Sequence, residues 1–291
     1  MVMCKKITAS LFLCSLFFIQ NALAEPLYWK AEKGAHELLI FGSIHMGTPD
    51  MYPLPETIID HLHHSQALIT EINLSDVADP QFYTTTEMTR DILNEQQKKR
   101  LSDIADELSL PVPMLLDRPS WQSALALQIT QFVQLGFSPD YGIDQHLTNL
   151  ALGKDISILG LETAGYQLQL FSQDNRTGRV LLIDTLNHWE RNKKINRCLL
   201  ETWKAGNSHQ LLQLADESEI ETELTERFIY TRNQNWAEKL DDPAFLTKPG
   251  KYTVAVGAMH LVGPQNLIDL LRKKGFSINR LSKSEPVDCE L

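Results

Sequence analysis

The sequence predicts an α/β fold, a mixed, largely parallel central sheet with large helical insertions, and three observations predict it. Apolar, β-branched runs of strand length lie near both ends of the chain, helical periodicities fill the middle, and a strand–GxxH–helix–strand unit occurs twice. Leu27–Glu32 and Glu37–Phe41 are strand-like, separated by Lys33-Gly34-Ala35, which reads as a hairpin turn. Pro55–Ser65 follows as a helix, with Ile58, Ile59 and Leu62 at helical spacing, and Ala67–Leu74 as a short buried strand. From Pro80 to Asp155 the pattern is mostly helical, over Thr84–Leu108, Ser120–Leu135 and Gly142–Leu152, punctuated by Pro111, Pro113, Pro119 and Pro139. Ile156–Leu161 returns to strand. Ala164–Leu240 is helical again, with breaks near Asp174–Gly178 and Gly206–Ser208. Tyr252–Val256 is a strand, Pro264–Lys274 a helix and Phe276–Ser282 a final strand. No linker or low-complexity tract divides the chain, so a single domain over residues 25–291 is expected.

Residues Met1–Ala24 have the layout of a secretory signal peptide. Lys5 and Lys6 precede an uncharged run, Ile7–Ile19, too short to span a bilayer, and Ala22-Leu23-Ala24 is a small-x-small cleavage site. Phe12 and Leu13 are too bulky to precede a lipid-modified Cys14. Cleavage near Ala24 takes the 291 residues to 267 and, with two lysines gone, the formal charge from −10 to −12. The expected location is therefore the periplasm or the exterior, without stable membrane insertion. The negative charge argues against nucleic acid or anionic membranes as partners, and a hydrophobic content of 43% is that of an ordered domain. Of four cysteines, Cys198 and Cys289 survive cleavage, and in an oxidising compartment two thiols are expected to pair.

The repeat carries the chemistry. Leu38–Phe41 runs into Gly42-Ser43-Ile44-His45, and Tyr252–Val256 into Gly257-Ala258-Met259-His260; each is followed by a proline, a helix and a strand. In an open α/β sheet, ligands bind beyond the carboxyl ends of the strands, which is where His45 and His260 lie. Glu71 closes Ala67–Thr70 and Glu162 closes Ile156–Leu161 at the same edge, and a strand-end carboxylate belongs in a polar cleft. Helices starting near Pro55 and Pro264 would add partial positive charge there. Two imidazoles and two carboxylates can hold a divalent transition metal that activates water. They can equally work without one, a Glu as general base and a His orienting or protonating the leaving group. Each His capping its own turn, and each Glu satisfying backbone, is the plain structural alternative.

These segments resemble the TraB/GumN family, which includes the Tiki metalloproteases, pheromone-shutdown proteins and many periplasmic bacterial proteins. The similarity is carried by Phe41–Gly47 with Tyr52-Pro-Leu-Pro55, by Ile69–Ile72, Tyr141–Leu147, Leu161–Gln167, Thr231–Ala237 and Val256–Gly263, nearly the whole mature chain. Ser43, where the family usually has Thr, is a conservative departure. The resemblance implies a fold like the erythromycin-esterase-like and haem-binding ChaN-like proteins. It also implies a site of His45, His260, Glu71 and Glu162, acting as metal ligands or as acid and base. For Tiki-type members it implies peptide hydrolysis dependent on a divalent metal, manganese or cobalt rather than zinc. Arg232 matches an arginine that would stabilise negative charge in the transition state, with Asn233 fixing its orientation. The expected partner is thus a peptide or small-molecule substrate. The competing readings are a binding protein for a peptide signal, haem or a metal, and a metal-free glutamate-base esterase.

Other motifs carry less. His61, His63 and His64 read as a solvated helix end, and His36-Glu37-Leu38-Leu39-Ile40 lacks the second His of HExxH and sits in a strand. Gly206–Gln210 lacks the second glycine of a serine-hydrolase elbow. Trp121, Trp189, Trp203 and Trp236 read as core. Arg232 could pair with Glu226 or Glu238 on a helix surface, and Asp144 could cap or orient helices near the cleft.

Overall fold

The computed structural model describes residues 24–73, 87–217 and 222–289. The signal-peptide reading, the end of the Ala67–Leu74 strand and the start of the Thr84–Leu108 helix lie outside the described residues. Strand β1 (Tyr28–Lys33) and β2 (His36–Ser43) form the expected antiparallel hairpin, with Gly34 at φ 58° in the turn. Helix α1 (Glu56–His63) leads to β3 (Ala67–Ile72). A helical insertion follows, α2 (Thr89–Ile92), α3 (Glu95–Glu107), α4 (Val112–Leu116), α5 (Ser120–Gln134) and α6 (Ile143–Leu152), before β4 (Ser157–Glu162). A second insertion comprises α7 (Ala164–Ser172), α8 (Asn175–Asn187), α9 (Trp189–Lys204), α10 (Ser208–Glu217) and α11 (Thr222–Thr225), then a π-turn (Glu226–Tyr230) and α12 (Thr231–Asp241). Strand β5 (Gly250–Gly257), a 3₁₀ turn (Ala258–Leu261), α13 (Leu267–Lys273) and β6 (Ser277–Arg280) complete the fold.

The six strands form one sheet in the order β4-β3-β5-β2-β1-β6. β4, β3, β5 and β2 are mutually parallel, while β1 runs antiparallel to β2 and to β6. Position explains composition. β5, flanked on both sides, is buried from Tyr252 through Val256, whereas edge strand β4 buries only Leu161. The main apolar core packs around the sheet, and a second cluster joins α3, α5 and α8 within the insertions. All four tryptophans named above are buried.

Local chemistry moved several expected boundaries. The described part of Thr84–Leu108 is broken at Leu93, because the Asn94 side chain accepts from Gln97 N–H while the Gln97 side chain accepts from Asn94 N–H, starting a new helix. The helix expected from Pro264 begins at Leu267, where Asn266 caps it by accepting from Asp269 N–H. α4 occupies part of the proline-punctuated stretch, Pro113 being tolerated in its first turn, and His188 separates α8 from α9. His61 is not solvated. It is 8% exposed, bonded through Nδ1 to the Thr253 hydroxyl (2.9 Å), and burial lowers its pKa to about 4.

Cys198 on α9 is bonded to Cys289 across 91 residues. Closing so long a loop is worth roughly 4–5 kcal/mol by chain-entropy reasoning. It fixes the C-terminal tail to α9, where Glu285 N–H donates to Ala205 O (2.9 Å). No described helix is long and apolar enough to cross a membrane.

Candidate active site

The four adjacent parallel strands each deliver one predicted residue to the same edge of the sheet. Glu162 ends β4, Glu71 is next to last in β3, His260 lies in the 3₁₀ turn after β5, and His45 lies two residues beyond β2. The two GxxH motifs are side by side, with Ser43 in register with Gly257. A Cβ on Gly42 would come within 3.2 Å of Ala258, so glycine is what lets the first motif pack against the second. Trp203 from α9 donates to the Gly42 carbonyl (2.8 Å) and holds that turn from below.

The inner part of the site is a buried ion cluster. Glu71, His260, Arg232 and Asn233 are 5%, 4%, 7% and 0% exposed. Arg232 reaches inward rather than to Glu226 or Glu238: its Nη2 donates to Glu71 Oε2 (2.5 Å) and Glu162 Oε1 (2.6 Å), and its Nε to both Glu162 oxygens (3.0 and 3.2 Å). Gln167 bridges the two carboxylates (3.0 and 2.8 Å), and Trp236 Nε1 donates to Glu162 Oε2 (3.1 Å). The Gly257 N–H donates to Glu71 Oε1 (2.8 Å). Asn233 donates through Nδ2 to the His260 and Gln265 carbonyls, so its Oδ1 must accept from His260 Nδ1 (2.7 Å). The His260 proton therefore sits on Nδ1, and Nε2 faces Arg232 Nη1 at 3.2 Å.

Electrostatics follow from this packing. Burial, with Arg232 alongside, pushes His260 down to about 3, so the ring is neutral. Burial alone would raise Glu71, but its positive neighbours and the Gly257 N–H hold it at about 2. Since His260 is neutral above about 3, Arg232 is the lasting positive partner of Glu71.

The outer part is an open pair. His45 Nδ1 donates to Asp144 Oδ2 (2.8 Å), and Ser43 Oγ donates to Asp144 Oδ1 (2.8 Å). Asp144 lies in the first turn of α6, where the helix dipole favours its charge. Backbone bonds stitch this segment to the first motif: Ile143 N–H to Ile44 O (2.9 Å), and Gly47 and Ser138 to each other (3.0 and 2.8 Å). A Cβ on Gly142 would sit 2.3 Å from the His45 carbonyl, which makes glycine obligatory there. The hydrogen bond to Asp144 raises the His45 pKa to about 9, although 66% of the side chain is open and solvent moderates the effect. His45, Asp144, Glu71, Gln145, Thr148 and Gln167 line one cleft of about 320 Å³. A larger hollow of about 550 Å³ near Asn94, Arg100 and Asn187 has no histidine, and its Lys99–Asp103 pair is an exposed i,i+4 ion pair on one helix, so the sheet edge is the better candidate.

The structure thus brings Glu71, Glu162, His260, Arg232 and Asn233 together and sets His45 apart with Asp144. The expected metal ligands do not, as placed, form a donor set. His260 Nε2 and Glu71 Oε1 are 3.9 Å apart, but Glu162 is engaged with Arg232 and Trp236, and His45 with Asp144. Among the described residues no group of three metal-binding side chains is assembled. Sequence reasoning left Asp144 as a helix cap and missed Gln167; both lie in the motif segments, but only the fold puts them against His45 and Glu71.

The TraB/PrgY/gumN family profile matches residues 27–280. The chain is 33% identical over 241 residues to "Uncharacterized protein YbaP" of Escherichia coli (strain K12), covering 82% of this chain and 89% of that protein. The Shigella flexneri protein of the same name is 33% identical over 235 residues, 80% and 87% of the two chains. A "Metalloprotease TIKI homolog" of Amphimedon queenslandica is 32% identical over 75 residues, 26% of this chain and 15% of that protein. No solved structure matches the chain with statistical significance. With the profile spanning both GxxH strands, Glu71, Glu162 and Arg232, the chain belongs to the TraB/PrgY/gumN family.

Proposed function

We propose that this protein is an exported hydrolase of peptide or related acyl bonds in which His45 is the proton donor and Glu71 holds the attacking water. The observation that carries this reading is geometric: one cleft is lined by His45, held through Nδ1 by Asp144, and by Glu71, held through Oε1 by the Gly257 N–H, and their surroundings push the imidazole up and the carboxyl down. Groups pushed apart in this way take the acid and base roles at neutral pH. Asp144 fixes the His45 tautomer with the proton-bearing Nδ1 inward, leaving Nε2 to the cleft.

Among the described residues Glu71 Oε1 accepts one hydrogen bond, from Gly257, and retains a lone pair for water. As the water oxygen bonds to the carbonyl carbon, Glu71 takes its proton; as the C–N or C–O bond breaks, His45 Nε2 gives a proton to the leaving group. A carboxylate held so low is a weak base, so the larger share of its work is orienting the water. The peptide preference draws on the similarity to the TIKI homolog. The metal dependence that the resemblance implies finds no assembled donor set among the described residues. Export is supported by the Cys198–Cys289 bond, which persists in oxidising compartments.

The test is incubation of the chain with defined peptide mixtures and chromogenic esters, products being read by mass spectrometry and absorbance. Wild type should turn over at least one class, and His45→Ala should lose about 10²- to 10⁴-fold in kcat. Equal turnover by wild type and His45→Ala would overturn the assignment.

A further inference from the structure

We propose that the guanidinium of Arg232 stands, permanently, where a divalent cation would stand among Glu71, Glu162 and His260, so that this cluster is a closed ion network and not a metal centre. Three observations carry the inference.

The first is saturation. A guanidinium has five N–H donors and no acceptor. Nε–H goes to Glu162, the two Nη2 hydrogens to Glu71 and Glu162, and the two Nη1 hydrogens to the Phe228 carbonyl (3.0 Å) and His260 Nε2. Every donor is used within the chain. The His260 Nε2 lone pair, which a metal would need, is taken by one of them.

The second is that the local backbone is shaped for this side chain. Arg232 directly follows the π-turn Glu226–Tyr230, in which the Thr231 N–H bonds back to Glu226 O across five residues. The Phe228 carbonyl, one turn before Arg232, meets its own Nη1. The Trp236 ring closes the other side, 4.6 Å from the guanidinium carbon and 4.3 Å from the His260 ring centre. A fixed planar fork suits such a site better than a point charge.

The third is charge. Two carboxylates face one guanidinium and a neutral imidazole, a net charge near −1. Adding a divalent ion beside Arg232 would reverse that sign, and seating it on His260 and both carboxylates would break most of the guanidinium's bonds. A buried guanidinium without partners is strongly disfavoured. Removing the guanidinium, in contrast, should leave two carboxylates and an imidazole around a vacated cationic position. That is a mixed oxygen and nitrogen donor set, suited to manganese, cobalt or zinc.

This inference is independent of which bond is hydrolysed, and its test reads binding rather than turnover. The chain is titrated with Mn²⁺, Co²⁺ and Zn²⁺ by calorimetry as wild type, His260→Ala, Arg232→Ala and Arg232→Ala/His260→Ala, with folding checked by circular dichroism. We expect no ion in the wild-type cluster, about one ion per chain gained in Arg232→Ala, and loss of that ion in the double variant. Should Arg232→Ala fail to fold, Mn²⁺-induced broadening of the His260 ring resonances in wild type decides alone: its absence supports the inference and its presence overturns it. Folded Arg232→Ala that takes up no ion, or a wild-type ion lost in His260→Ala, would also overturn it.

Discussion

His45 and His260 occupy the same place in two copies of one motif, on neighbouring parallel strands, yet one is open to a cleft and bonded to a carboxylate while the other is 4% exposed and bonded to an amide. The difference lies in what packs over each turn. α6 brings Asp144 beside His45 and leaves Nε2 without a hydrogen-bond partner among the described residues, whereas α12 brings Arg232, Asn233 and Trp236 onto His260 and uses both ring nitrogens. A side chain whose hydrogen-bonding capacity is spent within the protein shapes the field around it; one with capacity left over can act on a substrate. The proposed proton transfer falls on the outer pair for that reason, with Glu71 lining the cleft as well as the inner cluster.

The largest effects should separate the two histidines. His45→Ala should cut turnover by about 10²- to 10⁴-fold while shifting stability by no more than about 1 kcal/mol, as expected for an exposed side chain. His260→Ala should do the reverse in kind, costing about 3 kcal/mol by leaving Asn233 Oδ1 and one Arg232 N–H unpaired in the interior. Arg232→Ala should be worse, about 3–5 kcal/mol, because two buried carboxylates lose their counter-ion. Thermal unfolding monitored by circular dichroism, beside the turnover assay, checks all three; destabilisation by His45→Ala equal to that of His260→Ala would erase the distinction between the regions.

A smaller effect isolates Asp144. In Asp144→Asn the His45 pKa should fall from about 9 toward its ordinary 6.5. At pH 8 the protonated fraction, and with it the rate, would then drop by at most about 30-fold, with little loss at pH 6. A rate profile of the same shape as wild type would show that the carboxylate does not tune the imidazole.

The smallest effects lie in stability against pH, where the regions carry opposite signs. Glu71, depressed from 4.5 to about 2, stabilises the fold fully above its unfolded value and loses that contribution as pH falls through about 2. His260, kept neutral down to about 3 instead of 6.5, also favours the fold most above 6.5 and progressively less toward acid. His45, raised to about 9, contributes below 6.5 and loses its contribution as pH rises through 9, weakly because it is exposed. Acid should thus loosen the inner cluster and base the outer pair, so that stability in Arg232→Ala should depend less on acid than in wild type.

Much of this was legible in the sequence. Strand–GxxH repeats and strand-end glutamates mark one edge of a sheet because period and position along a strand are properties of sequence. The pairing of Arg232 with Glu71 across 161 residues, and of Asp144 with His45 across 99, was not, because such contacts depend on how two helical insertions fold back over the edge. His61 shows the same limit. At a helix end it reads as solvated, and only the packing of α1 on β5 buries it against Thr253.

The most direct measurement is an NMR titration of the His45 and His260 ring resonances in wild type and Asp144→Asn. We expect His45 to titrate near 9 in wild type and well below that in the variant, while His260 stays neutral, protonated on Nδ1, from about pH 4 upward in both. His45 titrating near 6.5 in both proteins, or His260 taking up a proton near 6.5, would contradict the division of the site into an open acting pair and a closed supporting cluster.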